Sequence, residues 1–522
     1  LQPGSTLQTG NANAISLRDS AVILIGGGST VSATASSTAG LSAAGGNTIE
    51  LRSNGVVDIA AGGQILATGT QASAEALNLL GSGNVVSNSG LIQARTAAAI
   101  WLDNSTGGNT LVNTATGVIQ APGTAVGGTG NGALRFTNEG RVIGNVLFAG
   151  GDDVLDLGGR IEGAVRQGGG NDIVLLRAGS VITGTLAQDA GDDRLDVQGG
   201  SVGGAVTQGL GDDTAVLAAG TLASLDQGEG ADSLTVSGGS VTGTVQQGSG
   251  MDTFLMTGGT LGALLQGDNY DYFRMTGGRI VGAFDDGDYA EMTGGRIGRV
   301  NMKLDNNVFD MSGGTIDGNL VAGFGNDRIV LSDGYIGGNI SVSGGNDSVD
   351  ISGGTVRGEV RMSFGNDRFG WDGGGVVHGL IDLGDGDDSA RLANLNQANL
   401  GAMPGLDGGV GNDSLVMENV KTTGVARYTG WEKIDLETDT QLTFDDTLRL
   451  GDAVSGTGTL TLDPTSALFA SGTAGGIAGF GGGLAEVFNA GRIDLSSNGS
   501  AGDRFTVRGN YTGKIGRASC RE

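Results

Sequence analysis

The chain has 522 residues, with 56 acidic against 29 basic side chains and a formal net charge of −27 at pH 7. This charge argues against nucleic acid or an anionic membrane surface as a direct partner. No apolar run approaches the length of a membrane helix, so we expect no direct membrane insertion of this part. The composition, with 105 Gly, only 4 Pro and 4% aromatic residues, favours an all-β chain.

Residues 1–149 contain short strand-like phrases, for example at 88–93 and 113–120. They have long loops rich in Ala, Ser, Thr and Gly, and they lack an acidic corner. We predict that this part forms irregular coils of a β-solenoid, where a coil is one turn of the chain around the solenoid axis.

Residues 150–393 repeat one pattern about every 20 residues. The pattern is Gly-x-Gly, then Asn or Asp, then Asp, followed by an alternating apolar stretch and Gly-Gly. Its acidic part occurs, for example, at 211–213, 325–327 and 345–347. A unit this short holds two strands and two corners, which is too little to bury a core alone. Each unit must therefore stack on its neighbours, which predicts a solenoid.

Alternation predicts the strands and their faces. A period of two places pairs such as Leu234 and Val236 inward with Thr235 outward. A second strand follows Gly-Gly, with Val241 and Val245 inward. We predict a parallel β-solenoid with coils of about 20 residues, a rise of about 4.8 Å per coil and a narrow interior with little room for rings.

Residues 394–513 keep short strands with glycine turns and are predicted to be the C-terminal part of the same solenoid. Residues 514–522 break the composition abruptly, and they look like an in-frame translation of a sequencing adapter. We predict that they are an artefact, that the natural reading frame diverges from Lys514, and that Cys520 carries no information about function.

The Ser-Gly-Gly-Thr and Gly-x-Gly-Asn-Asp repeats, with the closing phrase at 489–513, resemble passenger domains of Gram-negative autotransporters, the type V secretion family. The resemblance implies a right-handed parallel β-helix that is exported and then displayed on the cell surface or released. It also implies an outer-membrane β-barrel of its own, which is missing from this sequence. Partners would be host-surface or matrix ligands or neighbouring cells.

The acidic corner alone has a second resemblance, to the later part of the calcium-binding nonapeptide of repeat-in-toxin proteins. In that family the glycines and Asp ligate Ca²⁺, and both corners of each coil are acidic. Here the other corner reads Ser-Gly-Gly and supplies no carboxylate. The candidate calcium ligands are Asp153, Asp172, Asp193, Asp213, Asp232, Asp252, Asp327, Asp347, Asp367, Asp388 and Asp413.

Two interpretations of these Asp residues stay open. Stacked in register they repel by roughly 1 kcal/mol per neighbouring pair in water, which a cation would relieve. Alternatively, each Asp accepts backbone N–H groups in its own turn, as Asp does in many turns.

We predict no enzymatic activity and no cofactor other than this candidate Ca²⁺. The single histidine, His378, lies in a corner-to-strand segment, and neither zinc ligands nor a dinucleotide-binding helix is visible. The predicted function is a cell-surface or secreted passenger rod for adhesion or scaffolding. A calcium-stabilised secreted repeat protein is the alternative, and a carbohydrate-active β-helix enzyme, for which the tyrosine-rich patch at 268–291 is the one hint, is the weakest of the three.

Overall fold

The computed structural model describes residues 1–9, 13–33, 47–71, 73–452, 454, 456–471, 475–494 and 504–513. The predicted artefact at 514–522, with Cys520, and part of the closing phrase lie outside these residues. The chain falls into two compact units, 1–271 and 272–522. This division lies inside the regular region predicted at 150–393, whose own boundaries stay a prediction.

Unit 1 is built from short strands joined by glycine-rich corners. Its strands are Thr6–Thr9, Ile15–Leu17, Val22–Ile25, Thr30–Ala33, Ile49–Leu51, Val56–Ile59, Gln64–Ala67, Leu77–Leu79, Val85–Asn88, Leu91–Ala94, Ile100–Ser105, Asn109–Asn113, Val118–Gly130, Leu134–Asn138, Arg141–Leu147, Val154–Leu157, Arg160–Glu162, Val165–Gly169, Ile173–Leu176, Val181–Ile182, Leu186–Ala190, Arg194–Leu210, Thr214–Glu229, Ser233–Val236, Ser240–Ser249, Thr253–Met256 and Thr260–Asp268.

Unit 2 has the same construction, with a one-turn α-helix at Gln397–Leu400 and 3₁₀ turns at Val425–Arg427 and Phe480–Gly482. Its strands are Tyr272–Met275, Arg279–Asp285, Tyr289–Asn301, Val308–Ile316, Leu320–Val321, Arg328–Ile336, Ile340–Ser341, Ser348–Ile351, Thr355–Val356, Val360–Arg361, Arg368–Asp372, Val376–Val377, Ile381–Asp382, Ser389–Ala393, Leu406–Asp407, Ser414–Glu418, Lys421–Thr423, Tyr428–Thr429, Lys433–Glu437, Gln441–Phe444, Thr447–Leu450, Thr459–Leu462, Ala467–Ala470, Gly476–Gly479, Ala485–Asn489, Arg492–Asp494, Thr506–Val507 and Gly509–Gly513.

Each strand pairs in parallel with the equivalent strand of the next coil. In unit 1 one column of partners runs Leu155, Val174, Leu195, Ala215, Leu234 and Phe254, so these coils are 19 to 21 residues long. Near the N-terminus Val57 pairs with Val86 and Val86 with Leu111, which gives longer coils of 29 and 25 residues. The all-β parallel β-helix is confirmed, and its hand stays a prediction from the resemblance.

The core is a series of inward apolar columns, as alternation predicts. Both members of pairs such as Leu234 and Val236, or Val349 and Ile351, are at most 2% exposed. The expectation that the interior has little room for rings is wrong: Trp371 is fully buried beside Phe369, with the two rings 6.4 Å apart and edge to face. Gly370 separates these two inward residues on their strand, so both rings project into the same coil.

Within the described residues, no helix combines the length and the apolar character that crossing a membrane requires.

Candidate functional site

The acidic corner is shaped by its two glycines. Gly209 and Gly211 have φ values of +123° and +130°, in the left-handed half of backbone space that disfavours side chains. A Cβ atom on Gly211 would lie 2.1 Å from the carbonyl oxygen of Gly191 in the preceding coil. Glycine is thus needed both for the turn and for the close stacking of one corner on the next.

The Asp that lies two residues after the second glycine of each corner points inward. All eleven predicted Asp ligands are at most 2% exposed and occupy this position. In each case Oδ1 accepts a backbone N–H from the coil before: Asp172 from Asp153 at 2.7 Å, and Asp347 from Asp327 at 2.8 Å. The expected hydrogen bond within the residue's own turn is therefore wrong, because the stacked corner of the preceding coil presents its N–H along the column.

The first corner residue points outward and bonds in the opposite direction. Oδ1 of Asn171 accepts the N–H of Asp192, one coil later, at 2.9 Å. In unit 2, Oδ1 of Asn346 accepts the N–H of Asn366 at 2.8 Å. Where both bonds form, a corner is thus hydrogen-bonded through side chains to the coil before it and to the coil after it. Both ladders use backbone donors that parallel pairing leaves open at a turn.

The other carboxylate oxygen, Oδ2, has no hydrogen-bond partner at any of the eleven Asp residues and is buried. Loss of water raises the pKa of each carboxyl, and the N–H donated to Oδ1 offsets part of that rise. The pKa reaches about 7 at Asp153, Asp172, Asp193, Asp213, Asp232, Asp367 and Asp413, reaches about 6 at Asp327 and Asp388, and is raised at Asp252 and Asp347.

The free carboxylate oxygens supply only part of the ligand set that Ca²⁺ requires. Ca²⁺ takes about six to eight oxygen ligands, whereas each coil adds one free carboxylate oxygen and the Ser-Gly-Gly corner adds none. Across the part of the chain that the structure describes, no three Asp, Glu, His or Cys side chains group in a way that could hold a metal ion. The donor set does not fit a calcium site made of carboxylates alone, and ligation by the eleven Asp residues stays a prediction.

A glutamine ladder, missed in the sequence, runs beside the acidic column in unit 1. Its members are fully buried, and each amide donates to the side-chain oxygen of the preceding one, as Gln188 does to Gln167 at 3.1 Å. The members are Gln167, Gln188, Gln208, Gln227, Gln247 and Gln266. Every one precedes the corner Asp by five residues, and that spacing is the signal that could have revealed it.

Three further residues extend the acidic column. In unit 1 Oδ1 of Asp271 accepts the N–H of Asp252 at 2.8 Å. In unit 2 Asn307 occupies the equivalent position before Asp327, and its amide donates to the carbonyl of Leu304 at 3.0 Å. The column ends where the Glu432 carboxylate accepts the N–H of Asp413 at 2.7 Å.

Residues 272–291 of the tyrosine-rich patch lie in unit 2 and present two outward rings. The rings of Tyr272 and Tyr289 stack with centroids 5.6 Å apart, and both hydroxyls donate to Glu291. Asp285 pairs with Arg299 and therefore does not face these rings as an unpaired acid.

No family model matches the sequence, and a comparison with curated proteins finds no match. Among solved structures, the chain is similar to a hyperactive, Ca²⁺-dependent, β-helical antifreeze protein from an Antarctic bacterium. The identity is 17%, the match covers 67% of this chain and 81% of the other, and the TM-score is 0.22.

Proposed function

We propose that this chain is a non-enzymatic passenger of an autotransporter, displayed on the surface of a Gram-negative bacterium or released from it, where it serves adhesion or scaffolding. One observation carries the proposal. Successive coils present equivalent outward side chains in register, as in the column Ser201, Thr221, Ser240 and Thr260. A surface that repeats at every coil suits many weak, simultaneous contacts with another surface.

The inward ladders support the same function. Buried amide and carboxyl groups bond each coil to its neighbours, as Gln208 does to Gln188 at 3.2 Å. A chain held together by contacts between adjacent coils folds as each coil adds to the last. That property suits a protein that crosses a membrane unfolded and folds outside it.

Location is the first test. In the bacterium that encodes the chain, an antibody against residues 150–271 should label intact cells or the culture fluid, and external protease should remove the label from cells. Label that appears only after the cells are permeabilised would refute surface display and release together.

Adhesion is tested separately with beads coated with the purified chain. We expect these beads to adhere to extracellular matrix or to cells more than beads coated with the same chain after heat unfolding. Surface location without this difference would leave scaffolding and exclude adhesion.

A calcium-stabilised secreted repeat protein is the second candidate, favoured by the unpartnered Oδ2 atoms of the buried Asp column. Backbone carbonyls would have to complete any such site. A rise in stability that Ca²⁺ causes and Mg²⁺ does not would favour this second candidate over the first.

A further inference from the structure

A polar groove crosses several coils of unit 1, away from the acidic corners. Its volume is about 750 Å³, within the range of about 300–1,000 Å³ that is usual for ligand pockets. Polar side chains from successive coils contribute to its lining: Gln93, Arg95, Gln120, Asn145 and Glu162.

The parallel register brings these side chains together. Gln93 pairs with Gln120, Gln120 with Ile143, and Ile143 with Glu162, so four coils contribute to one outward column. Adjacent members are about 4.8 Å apart. Arg95 follows Gln93 by two residues and therefore lies on the same side of its coil. The groove thus offers a line of polar groups along the stack, with the apolar side chain of Ile143 between them.

Three of these groups make no side-chain hydrogen bond or ion pair to the described residues. They are the amides of Gln93 and Gln120 and the guanidinium of Arg95, which is exposed. An amide both donates and accepts hydrogen bonds, which suits hydroxyl groups, and a guanidinium has the fork geometry that suits a carboxylate.

Arg95 is the only cationic residue among those that line the groove, and the one acidic lining residue, Glu162, is paired with arginines. Glu162 accepts two hydrogen bonds from Arg141, at 3.0 and 2.8 Å, and one from Arg160 at 2.9 Å. The hydrogen bond from Arg141 is the main reason that the pKa of Glu162 is lowered. This carboxylate therefore stays ionised, and the two arginines compensate its negative charge. Arg141 and Arg160 compensate the charge of Glu162 and do not themselves line the groove, so the positive charge of Arg95 is left for a ligand.

We infer that this groove binds an acidic saccharide, with its carboxylate on Arg95 and its hydroxyl groups on the amides of Gln93 and Gln120. The C–H faces of the sugar rings would lie on Ile143 and the other apolar lining residues. A linear saccharide along the groove crosses one coil after another and so meets the column of polar groups in turn. The inference supplies a ligand class for the adhesive function proposed above and rests on it.

The test is calorimetric titration of the full chain with 3′-sialyllactose, with tetragalacturonate and with uncharged lactose. 3′-Sialyllactose carries one carboxylate at the end of the saccharide, whereas tetragalacturonate carries a carboxylate on every sugar. The two therefore distinguish a terminal acidic sugar from an acidic polymer as the ligand. We expect saturable binding of at least one acidic saccharide and at least tenfold weaker binding of lactose.

Arg95→Gln should weaken binding of the acidic saccharide about tenfold. Arg135→Gln is the matched control, because Arg135 is also an exposed, unpaired arginine of unit 1 but lies outside the groove. Equal losses in both variants, lactose that binds as tightly, or a tetraglutamate peptide that binds as tightly would overturn the inference. So would the absence of binding by both acidic saccharides, even if the protein is found on the cell surface and its beads adhere.

Discussion

Replacing one buried carboxyl of the acidic column by an amide should stabilise the protein above neutral pH. Asp367 is the position of choice: Oδ1 accepts the N–H of Asp347 at 2.8 Å, and Oδ2 is buried without a partner. Asp367→Asn keeps the acceptor and turns the unpartnered oxygen into a donor. Asn307 shows that the corner accommodates an amide, which there donates to the carbonyls of its own turn.

The magnitude follows from linkage between protonation and folding. Loss of water, together with the carboxylates of Asp347 and Asp388, raises the pKa of Asp367 to about 7 from its ordinary value of 3.8. The folded protein therefore binds this proton more tightly than the unfolded chain does. The stability it contributes is complete below about pH 4 and is lost as the pH rises through about 7.

At about 1.4 kcal/mol per pKa unit the loss has an upper limit of about 4 kcal/mol, and screening by solvent at the corner should reduce it to about 1–2 kcal/mol. Asp367→Asn should recover that amount at pH 8 and nothing at pH 4. Urea unfolding followed by circular dichroism measures the difference from the shift in midpoint.

The matched control is Asp387→Asn, which removes the same charge from an exposed corner residue whose Oδ1 also accepts a backbone N–H, from Asn412 at 3.0 Å. We expect little change from this variant. Asp367→Asn that destabilises at pH 8, or a gain that is the same at pH 4 and pH 8, would refute burial of an ionisable carboxyl as the cause.

Three other perturbations test the ladders and the corner. Gln208→Leu should lower stability by about 1–3 kcal/mol, because the amide of Gln227 and the side-chain oxygen of Gln188 each lose a buried hydrogen-bond partner; an unchanged urea midpoint would contradict this. Gly211→Ala should cost several kcal/mol, since its Cβ would overlap the carbonyl of Gly191, whereas an unchanged melting temperature would mean that the corner can open. Millimolar Ca²⁺ should raise the melting temperature no more than Mg²⁺ does. Binding of Ca²⁺ to the folded state alone would add about 2.7 kcal/mol of stability at a hundredfold excess over the dissociation constant. A calcium-specific gain of this kind would contradict the expectation if it disappeared in the triple Asn variant of Asp327, Asp347 and Asp367.

The sequence was sufficient for the strands and their faces. Period two identified inward pairs such as Val349 and Ile351, and the short repeat implied stacking, because one coil cannot bury a core. It also placed the corner Asp residues in columns. The direction of their hydrogen bonds was not predictable, because it depends on how a glycine corner orients its N–H towards the coil before it.

The glutamine ladder was not predicted from the sequence because it breaks the rule that polar residues face outward. Gln188 is fully buried at an inward position, where its amide donates to Gln167 of the preceding coil and to the backbone carbonyl of Arg194. The groove around Arg95 arises where coils differ in length, so its register could not be read from a fixed period. Local sequence patterns identify strands and turns. The hydrogen-bond partner that a side chain finds in another coil can be identified only from the structure.

The hydrogen bonds that link each corner Asp to the neighbouring coils affect how the number of coils can change during evolution. In unit 2 every corner from Asp327 to Asp388 gives and receives the same bonds, so deletion or duplication of one whole repeat restores the ladder at the new junction. The two ends differ from the repeated corners: Asn307 precedes Asp327, and Glu432 takes the place of a next Asp after Asp413. Unequal recombination between repeats can therefore add or remove coils without any compensating substitution, provided that the residues at the two ends of the column are kept.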